Sequence, residues 1–128
     1  MILENLSLAR QVDMVFREIK NELLLLTSGT VFIQIRSNIV GKFGVRHDPL
    51  ECKGGVIREV RKGLSEEQFA SFRQMAIEAL KHKKNWTHGE IYFEFAVKQN
   101  VLHASINLES NYNMAQVVMR MNHHSHDE

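Results

Sequence analysis

Residues 91–108 read IYFEFAVKQNVLHASINL, and this stretch decides the fold. Ile91, Phe93, Phe95 and Val97 alternate with Tyr92, Glu94, Ala96 and Lys98. Beyond Gln99-Asn100, Leu102, Ala104, Ile106 and Leu108 alternate with Val101, His103, Ser105 and Asn107. A period of two places each set on one face of a strand. A two-residue turn at Gln99-Asn100 then sets Val97 against Leu102, Phe95 against Ala104, Phe93 against Ile106 and Ile91 against Leu108. Every core-facing pair is apolar. A slip of one residue would turn the whole apolar set to solvent, so the hairpin has one register.

A second hairpin lies upstream. In Thr30 to Arg36, Val31, Ile33 and Ile35 alternate with Phe32, Gln34 and Arg36. From Val40 to Arg46, Gly41, Phe43 and Val45 alternate with Lys42, Gly44 and Arg46. A three-residue loop at Ser37-Asn38-Ile39 pairs Ile33 with Phe43 and Val31 with Val45. A two-residue loop would oppose Ile33 to Lys42, so the longer loop is expected.

Each hairpin follows a helical stretch. From Ile2 to Leu26, the residues Leu8, Val12, Val15, Ile19, Leu23 and Leu26 recur at steps of three and four. They form one stripe, with Gly29 as the expected C-terminal stop. Phe16, Leu24 and Leu25 fall beside that stripe and suggest contact with a further apolar surface. The second helix opens on Ser65 and Gln68, a capping box, with Glu66 and Glu67 in its first turn. Phe69, Phe72, Ala76, Ala79 and Leu80 form its buried stripe, and Lys81 to Lys84 complement its negative end. Between the first hairpin and this helix, Asp48-Pro49 and Lys53-Gly54-Gly55 mark turns, and Val56 to Val60 reads as a short edge strand.

The expected fold is α+β, in the order α-β-β-α-β-β. Two helices pack on an antiparallel sheet made of two β-hairpins, and Met114 to Met121 adds a short C-terminal helix or strand. Residues 1–122 make a single domain and residues 123–128 a flexible, His-rich tail. Phe93, Phe95, Phe72 and Ile33 are expected in the core. The element order resembles roadblock-type and other small sheet-plus-helix regulatory domains; this is a likeness of topology that no sequence motif carries.

Composition narrows the function classes. The chain has 128 residues, 44% hydrophobic and 24% charged, as a globular domain does. Its net charge of +1 supplies no long-range field toward nucleic acid or an anionic membrane. Cys52 is the single cysteine, so no internal disulfide forms. Glu4, Arg10, Asp13, Arg17 and Glu18 interrupt the N-terminal region, and Leu23 to Leu26 is far too short to span a bilayer. A cytoplasmic location without membrane contact is expected.

Cys52 precedes Lys53 and a glycine pair, but no base stands at a recognisable spacing, and it reads as an ordinary thiol. His88-Gly89-Glu90 matches the H-x-E of zinc deaminases, yet the P-C-x-x-C that must accompany it is missing. These residues are expected in the loop entering the third strand. His123, His124 and His126 in the tail are weak metal candidates without preorganised geometry. Lys81, Lys83, Lys84 and Trp86, with Arg58, Arg61 and Lys62, join charge to an aromatic and are candidate nucleic-acid contacts. The second face of the sheet carries Phe32, Arg36, Arg46, Tyr92, Glu94 and His103, and is the candidate interaction face. Glu94 and His103 are diagonal neighbours there.

The expectation is therefore a small cytosolic regulatory or protein-interaction domain, homodimeric, without catalytic activity or a cofactor. Its partners would be itself and another protein. The alternatives are a nucleic-acid-binding module and, third, a small-molecule or metal-dependent enzyme.

Overall fold

The computed structural model describes residues 5–58 and 62–126, with backbone alone for 123–126. The order is α1 (Leu8–Leu23), β1 (Ser28–Arg36), β2 (Ile39–His47), β3 (Cys52–Lys53), β4 (Val56–Ile57), α2 (Glu66–Ala79), a 3-10 turn (Leu80–His82), β5 (His88–Lys98), β6 (Val101–Ser110) and α3 (Met114–His126). The four long strands form one antiparallel sheet in the order β2-β1-β5-β6, and β3 pairs only with β4. The α+β class stands, with three helices instead of two and a small extra hairpin.

Local chemistry explains the element ends. Ser7 caps α1, its hydroxyl accepting from the Arg10 amide at 3.2 Å. The helix stops at Leu23, before Gly29: the Leu25 amide turns back to the Glu22 carbonyl and the Leu26 amide to Leu23, tightening the chain into a turn. Gly29 belongs to β1 instead. The capping box at Ser65 and Gln68 forms in both directions, at 3.1 and 2.9 Å. The 3-10 turn carries Lys81 and His82, whereas Lys83 is already extended and lies beyond the helix it was expected to close. The strand expected over Val56 to Val60 is the two-residue β4, facing β3 across Gly54-Gly55, whose φ of 61° and 78° suits glycine; its outer half falls outside the described residues. α3 settles the choice between helix and strand after Met114, and its backbone runs on to His126, into the stretch expected to be a flexible tail.

The second hairpin has the register read from its sequence, Ile91 to Leu108 through Val97 to Leu102, about a Gln99-Asn100 turn. The first corrects one detail. Its turn has two residues, Ser37 and Asn38, with φ of 51° and 61°. Ile33 nonetheless faces Phe43 and Val31 faces Val45, because the register shifts between Ile33 and Ile35. Gln34 thereby opposes both Gly41 and Lys42, and this β-bulge reconciles the tight turn with the apolar pairs.

α1 and α2 lie on one sheet face, where Val12, Val15, Phe16, Phe72, Ala76, Val31, Ile33, Ile91 and Phe93 make the core. Phe16 is its centre, correcting its placement beside the stripe. It meets Phe72 edge-on at 5.3 Å between centroids and Phe93 at 5.9 Å. Phe72 in turn reaches Phe95 at 5.0 Å. Phe93, Phe95, Phe72 and Ile33 are all buried, as expected. Asp13 links the helices, bonding Arg73 of α2 at 2.8 Å and Arg17 at 3.1 Å.

Candidate interaction surfaces

The helices leave the opposite sheet face open among the described residues. Alternation along the four strands sends Arg36, Arg46, Glu94 and His103 outward, all exposed, with Phe32 and Tyr92 half-buried between them. Phe32 pairs with Gly44 on one side and Tyr92 on the other, so the two rings sit on adjacent strands. A Cβ on Gly44 would lie 2.8 Å from the Phe32 ring, so glycine leaves room for it. Lys42 Nζ at 6.0 Å and Arg46 Cζ at 5.9 Å flank the same ring. Tyr92 donates its hydroxyl to Glu90, which also accepts from Gln34 Nε2 at 3.3 Å.

Glu94 directly faces Ser105, whose hydroxyl approaches at 3.5 Å, while His103 faces Ala96. Glu94 and His103 are thus the diagonal neighbours expected. The face carries both signs of charge. Arg36, Lys42 and Arg46 stand on β1 and β2, and Glu90, Glu94, Lys98 and Glu109 stand on β5 and β6.

Among the candidate nucleic-acid residues, the aromatic one is not on the surface. Trp86 is 1% exposed, a core residue and not a stacking platform. Its burial follows from its neighbours: the Trp86 amide bonds Asn38 Oδ1 at 2.8 Å and its carbonyl accepts from the Asn38 amide at 2.9 Å. Lys83 covers the ring at 4.8 Å, and Lys81 pairs with Glu78 at 2.8 Å. Arg58 reaches Glu51 at 3.6 Å, Lys62 and Lys84 are exposed, and Arg61 lies outside the described residues. His88 and Glu90 belong to β5 itself, not to a loop before it. Cys52 is exposed on β3. The side chains of His123, His124 and His126 lie outside the described residues, and no described helix is long and apolar enough to cross a membrane.

Two features of the surface go beyond the sequence reading. The first is the exposed apolar side of α3, where a short helix or strand alone was expected. Asn113 starts α3, its side-chain oxygen accepting from the Ala115 amide at 2.8 Å. The helix then exposes Met114, Val118 and Met119, and Tyr112 before them is 84% exposed. Among the described side chains of α3, Val117 alone is partly buried, and it lines a cleft with Thr87 and Asn111. The spacing of Met114, Val117 and Val118 was the available signal.

The second is a groove of about 560 Å³ between α2 and β6. Met75, Ala79, Ile106 and Leu108 make its apolar floor, and Gln74 and Glu78 stand on its rim. It stays open because β6 is the sheet edge and α2 the last helix over it. Lys81, by its hydrogen bond and then its charge, holds the Glu78 carboxyl below its ordinary value. Compared with known proteins, the chain shows no significant match to a family model, to a curated protein or to a solved structure.

Proposed function

We propose that the protein is a non-enzymatic regulatory or interaction domain that works as a homodimer. The observation that carries this reading is α3, a capped helix whose apolar side chains face solvent in the single chain. Helices of this length are marginal in water without tertiary packing. Val117 and Val118 lower the intrinsic propensity further. A helix so exposed gains its stability from a surface that covers it, and a second copy supplies that surface at the same concentration. The open sheet face, with two aromatics between cations and carboxylates, is then free for a further protein partner.

Light scattering at micromolar concentration tests the reading. The expected mass is close to twice the 14.8 kDa of one chain. A mass of one chain, unchanged on concentration, overturns it. Nucleic-acid binding would show instead as salt-sensitive retention on immobilised RNA.

A further inference from the structure

We infer that the cavity at the N-terminus of α1 binds a small phosphate monoester, its phosphate held by the helix, two lysines and the indole of Trp86. The site stands apart from the sheet face and from α3, and it does not depend on the number of copies. The cavity holds about 430 Å³ between the start of α1, the Ser37-Asn38 turn, and Leu80 with Lys83 to Trp86. That volume suits a phosphate carrying a short organic body. Leu6, Leu8, Ile39 and Leu80 supply apolar wall for the body.

The observation that points to a ligand is Trp86. Its ring is 1% exposed, and its buried Nε1 has no acceptor among the described residues. The Cε3–Cζ3 edge of the indole lies against Gly89 of β5, so close that an added Cβ there would strike it. Nε1 is on the opposite edge, turned away from the sheet and toward the cavity that the ring lines. A buried N–H without a partner is costly, and a ligand oxygen supplies the acceptor that the chain lacks. Lys83 Nζ lies 4.8 Å from the ring centroid, a flexible cover that a ligand displaces and then pairs with. Lys84 lines the same cavity, and no Asp or Glu does so among the described residues.

The helix adds its own donors. Ser7 and Leu8 line the cavity, which places it at the positive end of α1. Ser7 occupies the Arg10 and Gln11 amides through its hydroxyl and its carbonyl. The Leu8 and Ala9 amides have no acceptor among the described residues, and no acidic side chain stands in the first turn. Two ammonium groups and a helix N-terminus match the double charge of a phosphate monoester better than the single charge of a carboxylate.

Trp86 is the single tryptophan, so its indole N–H gives one resonance in the proton–nitrogen correlation spectrum of the full chain. The protein is titrated with inorganic phosphate and with butyl phosphate at constant ionic strength. The expected result is a saturable shift of the Trp86 indole together with the Leu8 and Ala9 amides, with butyl phosphate the tighter ligand. Lys83→Gln combined with Lys84→Gln should weaken binding about tenfold or more. An indole resonance that stays in place, or that chloride moves as far, overturns the site. Shifts confined to Lys83 and Lys84 mean surface screening alone and overturn it too. Pentanoate binding as tightly as butyl phosphate overturns the phosphate assignment, and a short RNA that moves the indole equally overturns the small ligand. These arms use the parent chain, so they decide the matter whether or not the double variant folds.

Discussion

The two hairpins share a turn type and differ in what holds it in place. Ser37-Asn38 and Gln99-Asn100 both place two consecutive non-glycine residues at φ between 50° and 62°. The second turn stands nearly alone at the molecule's end, its Asn100 carbonyl touched by Gln68 Nε2 at 3.4 Å. The first is tied down from two sides. Ser37 and Asn38 donate their amides to the Thr87 and Trp86 carbonyls at 2.7 and 2.9 Å. Buried Gln11 on α1 donates to the Asn38 carbonyl at 3.0 Å and accepts from the Val40 amide at 2.8 Å. The same local geometry is thus held by strand pairing in one hairpin and by distant tertiary bonds in the other. Strand position is shared: each hairpin has one inner strand, β1 or β5, and one edge strand, β2 or β6.

The largest expected effect contrasts an inner strand of one hairpin with the edge strand of the other, through two phenylalanines. Phe93 on β5 is fully buried, and Phe93→Ala should cost about 3–5 kcal/mol through the cavity it leaves. Phe43 on β2 is half-buried, so Phe43→Ala should cost about 1–2 kcal/mol. Chemical denaturation of the pair measures both. Equal losses would mean that β2 is as central to the core as β5.

Gln11→Ala comes next. It removes one donor and one acceptor from a buried site, leaving the Val40 amide and the Asn38 carbonyl without that partner. Each of these part-buried groups left unsatisfied costs about 1–2 kcal/mol, so a loss of about 2–4 kcal/mol is expected. Amide exchange sharpens the comparison, since Val40 should lose protection while Val101, the first residue of β6, keeps its own. Uniform loss across both hairpins would show that Gln11 supports the whole fold and not the first turn.

These same residues explain what the sequence revealed. The second hairpin was legible throughout because its information is local: eight alternating positions and one tight turn satisfy each other. The first was legible in its apolar pairs but not in its loop. A bulge at Gly41 and Lys42 changes no residue type, and the tertiary bonds that hold the turn come from 27 to 50 residues away. Gln11 itself was a readable flag, a polar residue three after Leu8 and four before Val15 on the buried stripe. Trp86 misled for a related reason, because a lysine-rich neighbourhood says nothing of what lies beneath the ring. The outward residues of the open sheet face followed from strand alternation, whereas the α2–β6 groove depended on the sheet order, which pairing patterns within hairpins do not contain.

The smallest effect comes from one substitution made at two equivalent places. Asn38→Gly and Asn100→Gly both keep a residue that accepts positive φ, so each turn retains its backbone conformation. At position 100 nothing else changes, because its carbonyl, not its side chain, meets Gln68. Stability there should stay within about 0.5 kcal/mol of the parent, since glycine is favoured at the second position of such turns. At position 38 the side-chain oxygen that accepts the Trp86 amide at 2.8 Å disappears, and that amide is partly buried. Asn38→Gly should therefore cost about 1–2 kcal/mol more than Asn100→Gly. The difference between the two losses isolates the Asn38–Trp86 bond from the shared change in turn propensity. Should the two variants prove equally stable, water replaces that bond without cost, and the tertiary anchoring of the first turn would rest on Gln11 and the main chain alone.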